Sequence, residues 1–400
     1  MKLVINSRND MLGLDGALCN MLETRTKVDD ARKAQRNIFA IADLRHPLRW
    51  INRNSTLQHI ENARCLAIAQ PMNLGDVVAC LPLAGILKAT WPHMKICFIG
   101  GPYVRPLTDC CEHIDQFLEA DAVLAEPNLI SKLGVDIFLN PFPHKGLAVA
   151  AYRAGVPIRV GNLRRPKIWR YCNRFVMYSR RDYSRHEIEL NLENLGGLGL
   201  PTRYPISEIP GYFGLSRLPE LEPELNRLLD PRKFNIIFHP KSNKNGREWP
   251  ARHYAGLARM LPHDRFQILI TGLAHEREDL LAEAPEIFSS PIVIDLCGRL
   301  SLTQFIALIG KADGLLASGT GPLHVAAAMH KHALGIFPPR AGIDPAHWAP
   351  VGRKGEFLCL PDRCLPGGDR CPREFTSGYC ACTDAIKPEQ VMARILGWVH

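Results

Sequence analysis

From Cys65 onward, short apolar runs alternate with longer stretches of helical spacing. CLAIA (65–69) is an unbroken apolar run of strand length, NLGD supplies a turn, and VVACLPLAGILKATW has the length and spacing of a helix. KICFIG and VDIFL (135–139) are the next strand candidates. Strands alternating with helices predict a parallel, doubly wound sheet. Between 162 and 230 the pattern thins, and Pro, Arg and Gly accumulate. It restarts with FNIIFH at Phe234, a helix over 251–261, FQILIT, a charged helix from near His275, and PIVIDL. A helix at 302–311, DGLLAS, a helix from Pro322 and ALGIF complete this second series, and KPEQVMARILGWV reads as a closing amphipathic helix.

Two βα series separated by an irregular segment predict an α/β protein of two Rossmann-like, doubly wound domains facing a cleft. The expected divisions are an N-terminal extension (1–62), a first domain (63–205), a linker (206–230), a second domain (231–355), a Cys-rich loop (356–384) and a C-terminal helix (385–400). A length of 400 residues also exceeds one ordinary core.

Composition changes this picture little. Hydrophobic residues make up 46% and charged residues 22%, as in a globular chain. The 49 basic residues exceed the 40 acidic ones by nine, which favours anionic partners such as phosphates, acidic glycolipids or a membrane surface. The opening MKLVINSRNDMLGLDGA lacks the apolar core of a secretory signal, and no stretch approaches the roughly 18–20 apolar residues of a membrane span. The expected location is cytoplasmic, with peripheral contact on the inner face of the membrane.

Four segments at strand ends carry candidate chemistry. Asn73-Leu74-Gly75-Asp76 follows the first strand, where glycine admits a substrate close to the backbone and a carboxylate is placed to take a proton from a hydroxyl. Asp76 reads equally well as a helix cap. His239-Pro240-Lys241-Ser242, continued by Arg247-Glu248-Trp249-Pro250, offers cations, a hydroxyl and backbone amides suited to a diphosphate, or else a solvated basic loop. Ser318-Gly319-Thr320-Gly321-Pro322-Leu323-His324 turns a strand into a helix through small residues, with His324 about one turn in. Thr271-Gly272-Leu273-Ala274-His275-Glu276 places Glu276 where an acid meets ribose hydroxyls or simply favours a helix start.

Together and in this order, these segments resemble glycosyltransferase family 9, the ADP-heptose:lipopolysaccharide heptosyltransferases. NLGDVVACLPLAGILKATWP resembles the family's GD-containing opening, HPKS with REWP its phosphate segment, and TGLAHE and SGTGPLHVAAA its later donor turns. FPPRAGIDPAHWAPVG is similar to its proline-rich run, and the likeness covers residues 64–400. The resemblance implies a GT-B fold and an inverting transferase that moves a heptose or similar sugar from an ADP-sugar onto the lipopolysaccharide inner core. Asp76 is then the base. Lys241, Ser242 and Arg247 hold the diphosphate with Thr320 and Gly321, Glu276 meets the ribose, and His324 lines the sugar pocket. Gly319 departs from the family, where an Asp precedes the Thr-Gly pair, and QPMNLGD lacks the Arg usual before GD. With no Asp-x-Asp sequence in the chain, chemistry without a metal cofactor is expected. A protein-directed (autotransporter-type) transferase and a non-catalytic binding or assembly member are the alternatives.

Residues 159–185 hold nine Arg/Lys and five aromatic residues. This segment reads as an acceptor or membrane contact through Arg164, Arg165 and Lys167, with Gly75 of the opening motif as a further acceptor-binding residue; it also reads as a solvated face or as an RNA-type surface, although no nucleic-acid partner is expected. Of thirteen cysteines, five crowd into 359–382. Cys364, Cys371, Cys380 and Cys382 are candidate ligands for a structural zinc or iron.

Overall fold

The computed structural model describes residues 60, 62–242, 247–360 and 380–399. Nearly all of the N-terminal extension, and Cys364 and Cys371 of the cysteine cluster, lie outside the described residues.

The first domain is built on six parallel strands: β1 (Cys65–Ala69), β2 (Lys95–Gly100), β3 (Gln116–Glu119), β4 (Ile137–Leu139), β5 (Ile158–Asn162) and β6 (Arg174–Val176). They lie in the order β3-β2-β1-β4-β5-β6. The second domain repeats the arrangement with β7 (Phe234–His239), β8 (Phe266–Ile270), β9 (Val293–Asp295), β10 (Gly314–Ser318), β11 (His332–Ile336) and β12 (Gly355–Leu358). Its order, β9-β8-β7-β10-β11-β12, is the same topology counted from its own first strand. In each sheet the order reverses between the first and fourth strands, and a crevice opens there at the carboxyl ends. β12 carries the second sheet three residues past the division expected at 355.

Helices flanking the sheets include α1 (Leu74–Thr90), α2 (Lys145–Arg153), α3 (Glu187–Leu192), α4 (Ala251–Met260), α5 (Ala274–Glu283), α6 (Leu302–Lys311), α7 (Gly321–Ala328), α8 (Pro345–Trp348) and α9 (Pro388–Leu396). Both faces of β1 are buried, which its unbroken apolar run requires. α1 is apolar all round and buries 12 of its 17 residues, as a helix enclosed on every side must. It lies between its own sheet and α7 of the second domain, so one apolar core runs from Leu66 and Ile68 through α1 to Leu323 and Val325. The connecting segment closes over α1 at Gly85, where a Cβ would lie 2.2 Å from the Tyr212 carbonyl oxygen. The closing helix α9 returns to the second domain, and the Trp249 indole donates to the Ile386 carbonyl at 2.8 Å.

Candidate functional site

Among the helices that start at the crevice, two from opposite domains, α1 and α7, meet there. α1 begins at Leu74, and the Asn73 side chain does not cap it. Asp76 sits in its first turn and accepts the Asn73 backbone N–H, so the capping reading is partly realised. α7 begins at Gly321, and the Thr320 side chain likewise makes no capping bond. Thr320 Oγ1 is buried without a partner. The start of α7 is therefore uncapped on the cleft wall, with the Gly321 N–H as its first donor because Pro322 has none, and an uncapped helix start favours an anion. Glycine lets the two helix starts meet. A Cβ on Gly321 would lie 2.8 Å from Leu74 Cβ, and one on Gly75 would lie 3.4 Å from His324 Cδ2 and 4.0 Å from Trp348 Cζ3.

The resulting cleft has a volume of about 700 Å³. Gly75, Asp76, Ser242, Arg247, Glu276, Thr320, Gly321 and His324 all line it, so residues spread over 250 positions of sequence converge on one site. A larger hollow of about 1250 Å³ opens between the linker near Pro210 and the edge strand β12. None of the expected site residues lines it, and we assign the chemistry to the smaller cleft.

Asp76 is the most perturbed acid in the cleft. Burial pushes its carboxyl up from 3.8 to about 6, the Glu187 carboxylate adds to the rise, and Arg180 with two backbone N–H groups opposes it. Arg180 and Glu187 form a buried ion pair beneath it, and Arg180 also donates to Asn191 Oδ1 at 3.1 Å. The second domain reaches into this network. His347 on α8 bonds the Arg185 carbonyl through Nδ1 at 2.7 Å and places Nε2 3.5 Å from Glu187 Oε2. In return, His186 Nε2 of the first domain bonds the Ala349 carbonyl at 2.9 Å. His324 faces Trp348 with ring centroids 5.5 Å apart, and burial drives its pKa down to about 3, so it stands neutral in the cleft.

Opposite, β7 ends at His239, whose ring stacks on Phe305 at 5.5 Å and whose Nδ1 meets Thr271 Oγ1 at 3.0 Å. Glu276 is buried, and its Oε2 accepts the Leu273 N–H at 2.7 Å to start α5. The segment after β7 is organised by Glu248. Its Oε1 accepts from the Ser242 N–H at 2.8 Å and the Ser242 hydroxyl at 3.0 Å, while its Oε2 lies 3.2 Å from Lys241 Nζ. Lys241 also pairs with Glu283 at 2.8 Å. Two carboxylates thus hold Lys241 off the cleft wall, and Arg247 is the one Lys or Arg side chain among the described residues that lines it.

Arg164, Arg165 and Lys167 are exposed and lie outside the cleft, in the turn after β5. They belong to a larger basic face, since ten Lys/Arg and no acid occur between Asp136 and Asp182. Trp169, Met177 and Tyr152 are exposed in the same stretch. Among the described residues no group of three His, Cys, Asp or Glu is placed to hold a metal ion; Cys380 and Cys382 are buried. No helix among them is long and apolar enough to cross a membrane. Sequence reasoning missed Tyr103, Phe305, Phe337 and Trp348 on the cleft wall. In the sequence they look like ordinary core residues, and only the proline-rich run that opens with Phe337 and contains Trp348 carried a signal.

The family model described as glycosyltransferase family 9 (heptosyltransferase) matches residues 164–373. Lipopolysaccharide heptosyltransferase 2 of Salmonella typhimurium is 25% identical over 152 residues, covering 37% of this chain and 42% of that protein. The Escherichia coli protein of the same name is 24% identical over 152 residues with the same shares, so the aligned stretch spans under half the length of these relatives. The solved structure of E. coli ADP-heptose LPS heptosyltransferase II superposes with a TM-score of 0.63 at 19% identity, over 84% of this chain and 98% of that one. A glycosyltransferase family 9 structure from Veillonella parvula gives 0.66 at 17% identity, over 84% and 97%. These likenesses establish that the fold is the two-domain GT-B arrangement.

Proposed function

Because the chain belongs to glycosyltransferase family 9, whose family model matches more than half of it, we propose that its cleft transfers a sugar from an ADP-sugar to an anionic glycolipid of the lipopolysaccharide inner core, inverting the anomeric centre. The observation that carries this reading is Asp76, a half-buried carboxyl held near neutrality, facing the uncapped start of α7 across the cleft. Asp76 accepts the proton of an acceptor hydroxyl. The hydroxyl oxygen attacks the anomeric carbon, the bond from that carbon to the diphosphate oxygen breaks, and ADP leaves. The charge growing on the leaving diphosphate is met by the first N–H groups of α7 and by Arg247. Glu276 lies where the ribose would sit, and Phe305 on the stacked His239 forms a platform for the base.

Lys241 acts at one remove in this scheme, tying the phosphate segment to α5 through Glu248 and Glu283. The basic, aromatic face around Arg164, Arg165 and Lys167 receives the anionic headgroups of a membrane that carries the acceptor. That places the enzyme peripherally on the inner face of the cytoplasmic membrane. The test is incubation of the purified chain with ADP-sugars and a truncated core glycolipid, followed by mass spectrometry of the lipid and NMR of the new linkage. Addition of one sugar with inverted configuration supports the reading. No addition from any nucleotide-sugar donor rejects it.

A further inference from the structure

The cleft wall beside the start of α7 is backed by an aromatic ring that leaves no room for a side chain at position 319. Phe337 follows β11, is 1% exposed and lines the cleft. Its ring occupies a slot made by two glycines. A Cβ at position 319 would lie 2.7 Å from Phe337 Cε1, and one at position 335 would lie 2.3 Å from Phe337 Cε2 and 2.8 Å from Leu323 Cδ2. The ring is pinned from both sides, so position 319 cannot carry an acid, an amide or a hydroxyl without displacing a core residue. Pro338, Ile343 and Trp348 extend this wall. Trp348 turns its Cζ3 edge toward Gly75, beside the base. Apart from the indole N–H of Trp348, none of these four side chains carries a hydrogen-bonding group.

A donor sugar must sit here. Its anomeric carbon lies between the acceptor hydroxyl at Asp76 and the diphosphate at α7, and Gly75, next to Asp76, has His324, Gly321 and Trp348 as its nearest neighbours. Pyranose donors of one ring configuration can differ only at their exocyclic carbon. A heptose places hydroxyls on two exocyclic carbons, a hexose places one, and a 6-deoxyhexose ends in a methyl group. A hydroxyl held against an apolar wall loses its water without gaining a partner, whereas a methyl group gains contact. We propose that Gly319, Gly335 and Phe337 together select a donor with an apolar exocyclic end, a nucleotide-linked 6-deoxyhexose, over the corresponding heptose. This inference rests on the nucleotide-sugar reading of the cleft and refines its substrate class.

The experiment is calorimetric titration of the full chain with ADP alone and with ADP-heptose, ADP-hexose and ADP-6-deoxyhexose of matched ring configuration. The 6-deoxy donor is expected to bind at least about tenfold more tightly than the heptose donor, the usual effect of one unpaired hydroxyl. Phe337→Asn, which opens space and adds a polar partner, is expected to narrow that ratio, and Phe337→Leu, which stays apolar, to keep it. ADP affinity in each variant reports that the fold is retained. Heptose binding as tight as 6-deoxyhexose binding, with ADP still bound, overturns the selection and leaves the transferase reading standing. Absence of binding by ADP and by every donor overturns both.

Discussion

Replacing Asp76 with Asn tests the base, because the change should make the protein more stable and less active at once. The carboxyl is raised from 3.8 to about 6 by its burial and by Glu187, so its charged form is disfavoured in the folded chain. Such a rise corresponds to about 3 kcal/mol between the two protonation states. Part of the carboxyl still faces the cleft, which reduces the effect to about 1–2 kcal/mol. The sign follows from proton uptake. Between about pH 4 and 6 the folded state holds a proton that the unfolded state has lost. Stability from this position is therefore fullest below about pH 4 and is lost as pH rises through 6. Asn carries no charge and keeps the Asn73 N–H acceptor, so Asp76→Asn should exceed the parent by about 1–2 kcal/mol near pH 8 and by about half that near pH 5. Sugar transfer should fall about 10²–10⁴-fold. Urea unfolding at both pH values, paired with donor-consumption assays, reads the two effects. A variant less stable than the parent near pH 8, or one that turns over normally, refutes the assignment.

Two further outcomes follow from contacts outside the proposed base. His347→Ala removes the bond to the Arg185 carbonyl and the approach to Glu187, both of which cross between domains. It should lower kcat/KM about fivefold, the effect of one lost hydrogen bond, and shift its acidic limb, while isolated ADP affinity stays unchanged; an unmoved pH profile would count against the coupling. Reversing Arg164, Arg165 and Lys167 to Glu should leave thermal stability within about 0.5 kcal/mol, since all three are exposed. The same change should weaken sedimentation with anionic vesicles at least about a hundredfold, at about 1 kcal/mol per basic residue, and unchanged vesicle binding would remove the membrane role from this face.

The sequence made the central strands legible because both of their faces are buried. β1, β7 and β10 lie inside their sheets; β1 and β10 read as near-continuous apolar runs, and β7 keeps a buried apolar centre, Ile236–Phe238, between Asn235 and His239. Outlying strands carry no such signature. β3 is exposed at both ends, β5 and β6 each include an arginine, and all three escape the pattern. The motifs at strand ends were legible because topology forces those ends onto one crevice, and Asp76, Arg247, Glu276, Thr320 and His324 do meet there. Partners distant in sequence were not legible. Lys241 looks like a free phosphate ligand until Glu283, 42 residues later, is seen to hold it. Phe337 and Trp348 look like core because an apolar cleft wall is made of the same residue types as a core. Gly319 is visible in the sequence as a departure from the family's motif, but the Phe337 ring that fills the space beside it lies at the end of the neighbouring strand.

The claim on which the rest depends is that the start of α7 and Arg247 bind a nucleotide diphosphate. Titration of the purified chain with ADP and with AMP tests it most directly. The account predicts saturable one-to-one binding of ADP, at least about tenfold tighter than AMP, because the second phosphate gains charge-assisted bonds from α7 and Arg247. Equal affinity for ADP and AMP, or no binding of either, would contradict it.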